Sequence, residues 1–424
     1  MGSTGLLVLK MLIGLFIVQI LSNHYWQKEK NGWVYLIYFF IMIPVLAPGF
    51  MARPHIFTLL FLTLEISILQ FYFAGDKKII YFMPLIIAIW VNSHGGVLAG
   101  LGLFGLVSGS AWIQSLLTGT KKDLTLIFCF ALFALALLIN PYGYKLIVFY
   151  YESLSLPRNI GEWEPIQLLS FNYWKFKLLS LIFLITLYLR GKKHIWEILI
   201  ISVTIWYGFK HQRHTALAAI VMTPYLSLKL SQLIRKINFS KIYPYMTHSI
   251  QSVLTIGLGV LLTWNIFVGL KKNGANNFKI WVEPTIYPNY VVQFMETNKI
   301  QGNILVPFDW GEYLIWKLPE SKISIDGRFR TAYPNDVIGK HKNFIVGNKS
   351  WRDLITNYPT DIVLTRIKDS THLRMNKEKD WINIYQDQTA SLYIRKTNPP
   401  NRIENIYNNK QFKDPIEAPS YTFP

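Results

Sequence analysis

Apolar residues dominate the first two thirds of the chain. Near-continuous runs cover about residues 5–22, 33–50, 56–74, 79–92, 97–117, 124–140, 176–190, 194–208, 215–230 and 250–270. A helix that crosses a bilayer core needs roughly 20 such residues, within a range of about 17–25. The pattern predicts about ten membrane segments, or nine if one is a half-helix, since several runs are short. The shortest, 79–92, stops at Asn92-Ser93-His94-Gly95-Gly96. Such a break ends one helix and lets the next begin at once. From residue 273 the pattern changes, and short β-rich stretches alternate with helical ones. Residues 303–308, 322–325 and 361–365 read as strands, and 289–298, 335–345 and 351–358 as helices. Residues 381–385 and 391–395, joined by 386–390, read as a hairpin.

The expected fold is mostly α. A polytopic transmembrane helix bundle over 1–272 precedes a small external α/β domain over 273–397. A tail over 398–424, rich in Pro and Asn, is expected to be poorly ordered.

Composition agrees with this division. Hydrophobic residues make up 51%, aromatics 15% and charged residues 16%, and mean hydropathy is +0.26. A soluble domain carries about 25% charged residues, and disorder requires few aromatics, so both classes are excluded. The net charge of +19 raises nucleic acid as a partner. Its distribution argues otherwise: residues 1–272 hold 23 Lys/Arg against 8 Asp/Glu, and residues 273–424 hold 20 against 16. The excess lies among the apolar runs, where basic residues set topology. The single cysteine, Cys129, sits in an apolar run, which leaves no intramolecular disulfide and no cysteine-based metal site.

Alternating the loops places Lys28, Lys30, Lys77, Lys78, Lys121, Lys122, Arg190, Lys192, Lys193, Lys229, Arg235, Lys236 and Lys241 on one side. The short loops of the other side hold only Arg53, Lys210 and Arg213. By the positive-inside rule the first side is cytoplasmic. Residues 51–55, 93–96, 210–214, the long 141–175 loop and all of 273–424 are then external. The N-terminus also falls outside, behind an uncharged start. Either the chain begins outside, or further spans are encoded upstream of Met1.

Gly100-Leu101-Gly102-Leu103-Phe104-Gly105 fits GxGxxG, but that fingerprint must follow a strand and open a helix. Inside an apolar span, small residues serve close helix packing. No P-loop, HExxH, GxSxG or paired CxxC occurs. Glu65 lies in mid-run, where an ionisable group is a functional candidate unless it is neutral or bonded to a neighbouring helix. The external loops gather Arg53, His55, Asn92, His94, Glu162, Trp163, Glu164, Lys210, His211, Arg213 and His214. Arginine suits phosphate through paired hydrogen bonds, a carboxylate can take a hydroxyl proton, and Trp163 could stack on a sugar face. The set suits a substrate with a lipid tail and a phosphate at the membrane surface. The competing explanation is interfacial anchoring, which places Arg, His and Trp at the same depth. Asn140-Pro141-Tyr142-Gly143 reads as a helix stop. Asp309, Asp326 and Arg328 follow strands, where α/β domains carry either sites or turns and ion pairs.

Ala52-Arg53-Pro54-His55, Trp90-Val91-Asn92-Ser93-His94-Gly95-Gly96, Asn140-Pro141-Tyr142-Gly143, Glu162-Trp163-Glu164-Pro165 and the basic–His element at 210–214 occur in this order. In that order they resemble bacterial multi-pass GT-C glycosyltransferases. The likeness extends to protein O-mannosyltransferases and to the transferases that place aminoarabinose or galacturonic acid on lipid A. Residues 309–316 and 325–328 look like the C-terminal part of that group. The resemblance implies an inverting transfer from a polyprenyl-phosphate-linked sugar to an envelope glycan, lipid or protein, on the external face of the bacterial inner (plasma) membrane. Arg and His groups would hold the lipid phosphate, sometimes with a divalent cation such as Mg or Mn, and an acidic first external loop would supply the base. That loop has no counterpart ahead of the apolar spans here. Phosphate binding carries over to Arg53, His55, Lys210, Arg213 and His214, and the substrate cleft to Asn92, His94 and Trp163. Glu162 and Glu164 stand in for the base, on loop placement alone. The missing acidic loop also fits a non-catalytic protein that binds lipid-linked glycans or assembles an envelope complex. Glu65 and the broken 79–96 segment would fit a transporter, although no inverted repeat is seen.

Overall fold

The structure, a computed structural model, describes residues 2–28, 40–119, 124–155, 161–188, 195–223, 264, 268, 271, 278–283, 285–328, 332–396, 412 and 422. The chain divides into two compact units, Gly5–Gly274 and Ala275–Pro424. Most of the 250–270 run, the second half of the 215–230 run, most of the basic loop residues and nearly all of 398–424 lie outside the described residues. Of the last segment, Phe412 packs on the Phe294 ring and Thr422 bridges to Trp281.

The first unit is helical. Its helices are α1 (Gly2–Lys28), α2 (Phe40–Gly49), α3 (His55–Ala74), α4 (Met83–Val91), α5 (Val97–Thr118), α6 (Leu124–Ala136), α7 (Tyr144–Ser155), α8 (Trp174–Tyr188), α9 (Ile195–Lys210) and α10 (215–223). Among the described residues, three stretches are long and apolar enough to cross a membrane: Gly2–Asn23, His55–Ala74 and Val97–Thr118. Phe40–Gly49 and Leu124–Ala136 are shorter apolar helices.

Local chemistry breaks the 79–92 run and ends the one at 124–140. Lys77–Phe82 winds as a 3-10 turn, and Pro84 in the first turn of α4 starts a new helix. After α6 the chain turns, and the Asn140 side chain accepts from the Tyr142 N–H and donates to the Leu137 carbonyl. One expectation is corrected. The 141–175 segment is not a continuous loop, because Tyr144–Ser155 forms a helix. Leu146 and Tyr150 pack on the core while Tyr144, Ile147 and Tyr151 face outward.

α3 is the interior helix. It stops at Gly75, whose φ of 118° is left-handed and whose N–H caps Phe71 and Tyr72. Two of its buried hydroxyls are satisfied within the helix, Thr63 donating to Leu59 and Ser67 to Thr63. Across from it, α5 brings glycines to the contact. A Cβ on Gly100 would stand 2.5 Å from the Trp90 ring and 2.6 Å from Glu65 Oε2, and one on Gly105 would meet Phe130 at 2.9 Å. The GxGxxG stretch thus serves close helix packing.

The second unit is a five-stranded sheet of β1 (Asn303–Leu305), β2 (Lys322–Ile323), β3 (Ile362–Arg366), β4 (Trp381–Gln386) and β5 (Ala390–Arg395), in the order β2-β1-β3-β5-β4. β1 pairs parallel with β2 and β3, while β5 is antiparallel to β3 and β4. The period-two pattern covers both faces. Ile362, Leu364, Leu392 and Ile394 meet Val291, Phe294 and Leu314 on one face, and Val363 and Tyr393 meet Phe344 and Trp351 on the other. β1 is shorter than its apolar run, because Pro307 has no N–H and the chain turns through Phe308–Trp310. Gly311 then opens the helix Gly311–Lys317 against the exit of β2. A Cβ there would stand 2.0 Å from the Ile325 carbonyl oxygen.

Candidate functional site

Residues far apart in sequence meet at the N-terminal end of α3. Arg53 lies in the turn before that helix, and its Nη1 donates to Glu162 Oε1 at 2.6 Å. Glu162 belongs to the 3-10 turn Gly161–Trp163. Main-chain bonds fasten that segment to the end of α9: Ile166 N–H donates to Phe209 (2.8 Å) and Gln212 N–H to Glu164 (3.2 Å). The His211 ring nitrogen Nδ1 stands 2.7 Å from the Trp163 carbonyl.

The Trp163 ring is bracketed by His211 and His214, with centroids at 5.1 and 5.6 Å, and by the Arg213 guanidinium at 4.8 Å. A cation over a tryptophan face is held by the ring quadrupole. Arg53, His55, Glu162, Tyr173, Gln212 and Arg213 line a cavity of about 120 Å³ with the 48–51 turn. The ring of His94 stands edge-on to that of His55 at 5.6 Å.

His94 is fixed by its own break between helices. Its Nδ1 accepts from the Gly96 N–H at 3.0 Å and lies 2.6 Å from Thr58 Oγ1. Trp90 Nε1 donates to the same hydroxyl at 3.2 Å, so Thr58 turns its own proton toward His94. With Nδ1 accepting, the neutral ring carries its proton on Nε2. Gly96 is required here, since a Cβ would fall 2.1 Å from Thr58 Oγ1. Burial, and next the Arg213 charge, hold His94 down to about 4. Burial, followed by His211 and Arg213, does the same to His214.

These shifts carry a stability prediction. An unfolded histidine titrates near 6.5, so between about pH 6.5 and 4 the unfolded chain binds more protons. Stability is full above that window and falls as pH drops through it, by on the order of 1–2 kcal/mol per partly exposed ring. Thermal unfolding is expected to shift downward from pH 6.5 to 4, with a shallower slope in H94Q/H214Q. An unchanged slope in that variant would locate the protons elsewhere.

The structure brings together Arg53, His55, His94, Glu162, Trp163, Arg213 and His214. Of these, Arg53, His55, Glu162 and Arg213 line the cavity, and three other expected residues stand apart from the group. Glu164 is exposed and contributes its backbone carbonyl. Lys210 is exposed and rests over the Trp206 ring at 4.6 Å. The Asn92 amide donates to the Ala88 and Ile139 carbonyls, tying α4 to the turn after α6. Two cavity residues carry no signal in the sequence. Gln212 accepts a hydrogen bond from the Tyr173 hydroxyl at 2.9 Å, and Tyr173 holds a left-handed φ of 59°. Such strain in a non-glycine residue concentrates at functional sites.

A divalent cation does not fit the described cavity. Among the described residues no three His, Cys, Asp or Glu side chains come together to ligate a metal. Two guanidinium groups against one carboxylate also repel a cation. Glu65 is fully buried against Trp90 and Gly100, and among the described residues its carboxylate has no hydrogen-bond partner.

In the second unit, Asp309 pairs with Arg366 at the ends of β1 and β3. Asp326 is buried and accepts from Arg328 Nε (2.9 Å), Arg328 Nη2 (2.6 Å), the Arg328 N–H (2.8 Å) and Tyr333 (2.7 Å). Arg328 chiefly holds the Asp326 carboxyl down to about 2. This arrangement is a turn stabilised by its own ion pair. Comparison with protein-family models and with curated protein sequences returns no match.

Proposed function

We propose that the protein is a membrane glycosyltransferase that moves a sugar from a polyprenyl-phosphate donor to an acceptor at the external face of the membrane. The observation that carries this reading is the convergence of Arg53, Arg213, Trp163 and Glu162 at the end of a helix apolar enough to cross a bilayer. The two guanidinium groups offer the planar, paired donors that phosphate requires. Trp163 offers a ring face for a sugar. Glu162 takes the proton of the acceptor hydroxyl as its oxygen forms the bond to the anomeric carbon. The anomeric carbon–oxygen bond to phosphate breaks, and its electron pair leaves on the phosphate held by the arginines. The reading includes a polytopic bundle of nine or ten spans in the bacterial inner membrane, with the second unit on the external side.

A second reading, binding of a lipid-linked glycan without transfer, is favoured by the Arg53–Glu162 contact, which occupies the carboxylate. The purified protein in lipid nanodiscs, given radiolabelled polyprenyl-phosphate sugars and envelope acceptors, separates the two. Labelled acceptor is the expected product. Donor binding without transfer would establish the second reading, and neither binding nor transfer would overturn both.

A further inference from the structure

The Arg53–Glu162 contact has a specific place in the cavity. Both side chains line it together with Arg213. The pair spans 109 residues of sequence, so it is a product of the fold rather than of local helix geometry. The Glu162 carboxylate therefore sits against the face of Arg53 that would receive a phosphate. It shares with the ligand group a negative charge and a pair of acceptor oxygens that a guanidinium can engage.

From this juxtaposition we infer that Glu162 is an internal stand-in for the donor phosphate, and that phosphate binding at Arg53 displaces it. The inference rests on reading this cavity as a phosphate seat. The contact is suited to exchange. The Arg53 and Glu162 side chains are 59% and 42% exposed, and ion pairs at such exposure contribute little to stability. A phosphate can engage Arg53 through two parallel N–H donors and reach Arg213 across the same cavity. Glu162 gives Arg53 one close oxygen, at 2.6 Å from a single Nη1.

The exchange conserves charge at the seat. Before it, the carboxylate pairs with Arg53 in a cavity that Arg213 also lines. After it, the phosphate takes that position and the carboxylate is released beside it. No covalent bond changes. Release returns Oε1 of Glu162 to the cavity as an open acceptor for a hydroxyl proton. Donor binding then precedes activation of the acceptor, because the same arginine cannot hold both anions at one face. The exchange needs only rotation of the Glu162 side chain, while main-chain bonds at Glu164 and Ile166 hold its segment in place.

Binding of inorganic phosphate and of geranyl phosphate to the full-length protein in nanodiscs tests this, read by tryptophan fluorescence and calorimetry. E162Q removes the internal anion and is expected to bind geranyl phosphate about three- to fivefold tighter than wild type. R53Q is expected to weaken binding at least about tenfold. In R53Q/E162Q the tightening should vanish, since it acts through Arg53. Inorganic phosphate is expected to show the same order at weaker affinity. Equal affinity for the two probes would make free phosphate the ligand, with the exchange retained. Wild-type binding that R53Q abolishes but E162Q leaves unchanged or weakens would overturn the exchange while sparing the phosphate seat. Absence of binding in both wild type and E162Q would overturn the seat and the exchange together.

Discussion

Glu162→Gln is expected to leave the protein folded and to slow sugar transfer by about 10²–10⁴-fold, the range that a positioned general base supplies. The loss should fall on kcat, with the donor KM unchanged or lowered. Glutamine keeps the shape of the side chain but cannot take a proton from an acceptor hydroxyl. Glu164→Gln is the internal comparison. Its side chain is exposed, and its role in the fold is the carbonyl that accepts from Gln212, so transfer should stay within about threefold of wild type. Steady-state rates with labelled donor distinguish these two carboxylates, which the sequence leaves equivalent. A rate that drops in Glu164→Gln and holds in Glu162→Gln would move the base to the other residue.

A second large effect is expected in the sheet-containing unit. Gly311→Ala places a Cβ 2.0 Å from the Ile325 carbonyl oxygen and 2.7 Å from the Asp326 Cα. Both obstacles are backbone, so the start of the helix Gly311–Lys317 must lift from the exit of β2. Trp310 and Leu314, both fully buried beside it, would be pulled from their core. A cost of about 2–4 kcal/mol is expected, from overpacking at the glycine and from the looser seating of these two side chains. Gly327→Ala is the control. Its Cβ meets Glu312 Oε1 at 1.8 Å, the end of a flexible side chain that can swing aside. Thermal unfolding of this unit, followed by tryptophan fluorescence, should show a large drop for the first and a small one for the second. Equal drops would mean that the β2 exit yields as readily as a side chain.

Much of the architecture was legible because it follows periodicity. The apolar runs within the described residues became helices, and the alternation in 361–365 and 391–395 put Ile362 and Leu364 on one sheet face and Val363 on the other. The hairpin emerged as Trp381–Gln386 and Ala390–Arg395. The candidate site was legible in its charged and aromatic members, since Arg53, Glu162, Trp163 and Arg213 stand out beside apolar runs. Other features depend on tertiary contact. No pattern announces that Arg53 meets Glu162, or that Tyr173 turns left-handed to reach Gln212. α7 was hidden because its apolar block, Leu146–Phe149, is only four residues long and does not stand out as a span.

The clamp on His94 also decides which group can act as an acid–base partner. An imidazole accepts a proton through a free lone pair, and the one on Nδ1 is already given to the Gly96 N–H and the Thr58 hydroxyl. Burial and Arg213 keep the ring uncharged down to about pH 4. Across the physiological range His94 is thus a fixed N–H and cannot ferry protons. In the proposed transfer the proton of the acceptor hydroxyl would therefore go to a group other than His94, and Glu162 lines the cavity as the carboxylate available for it.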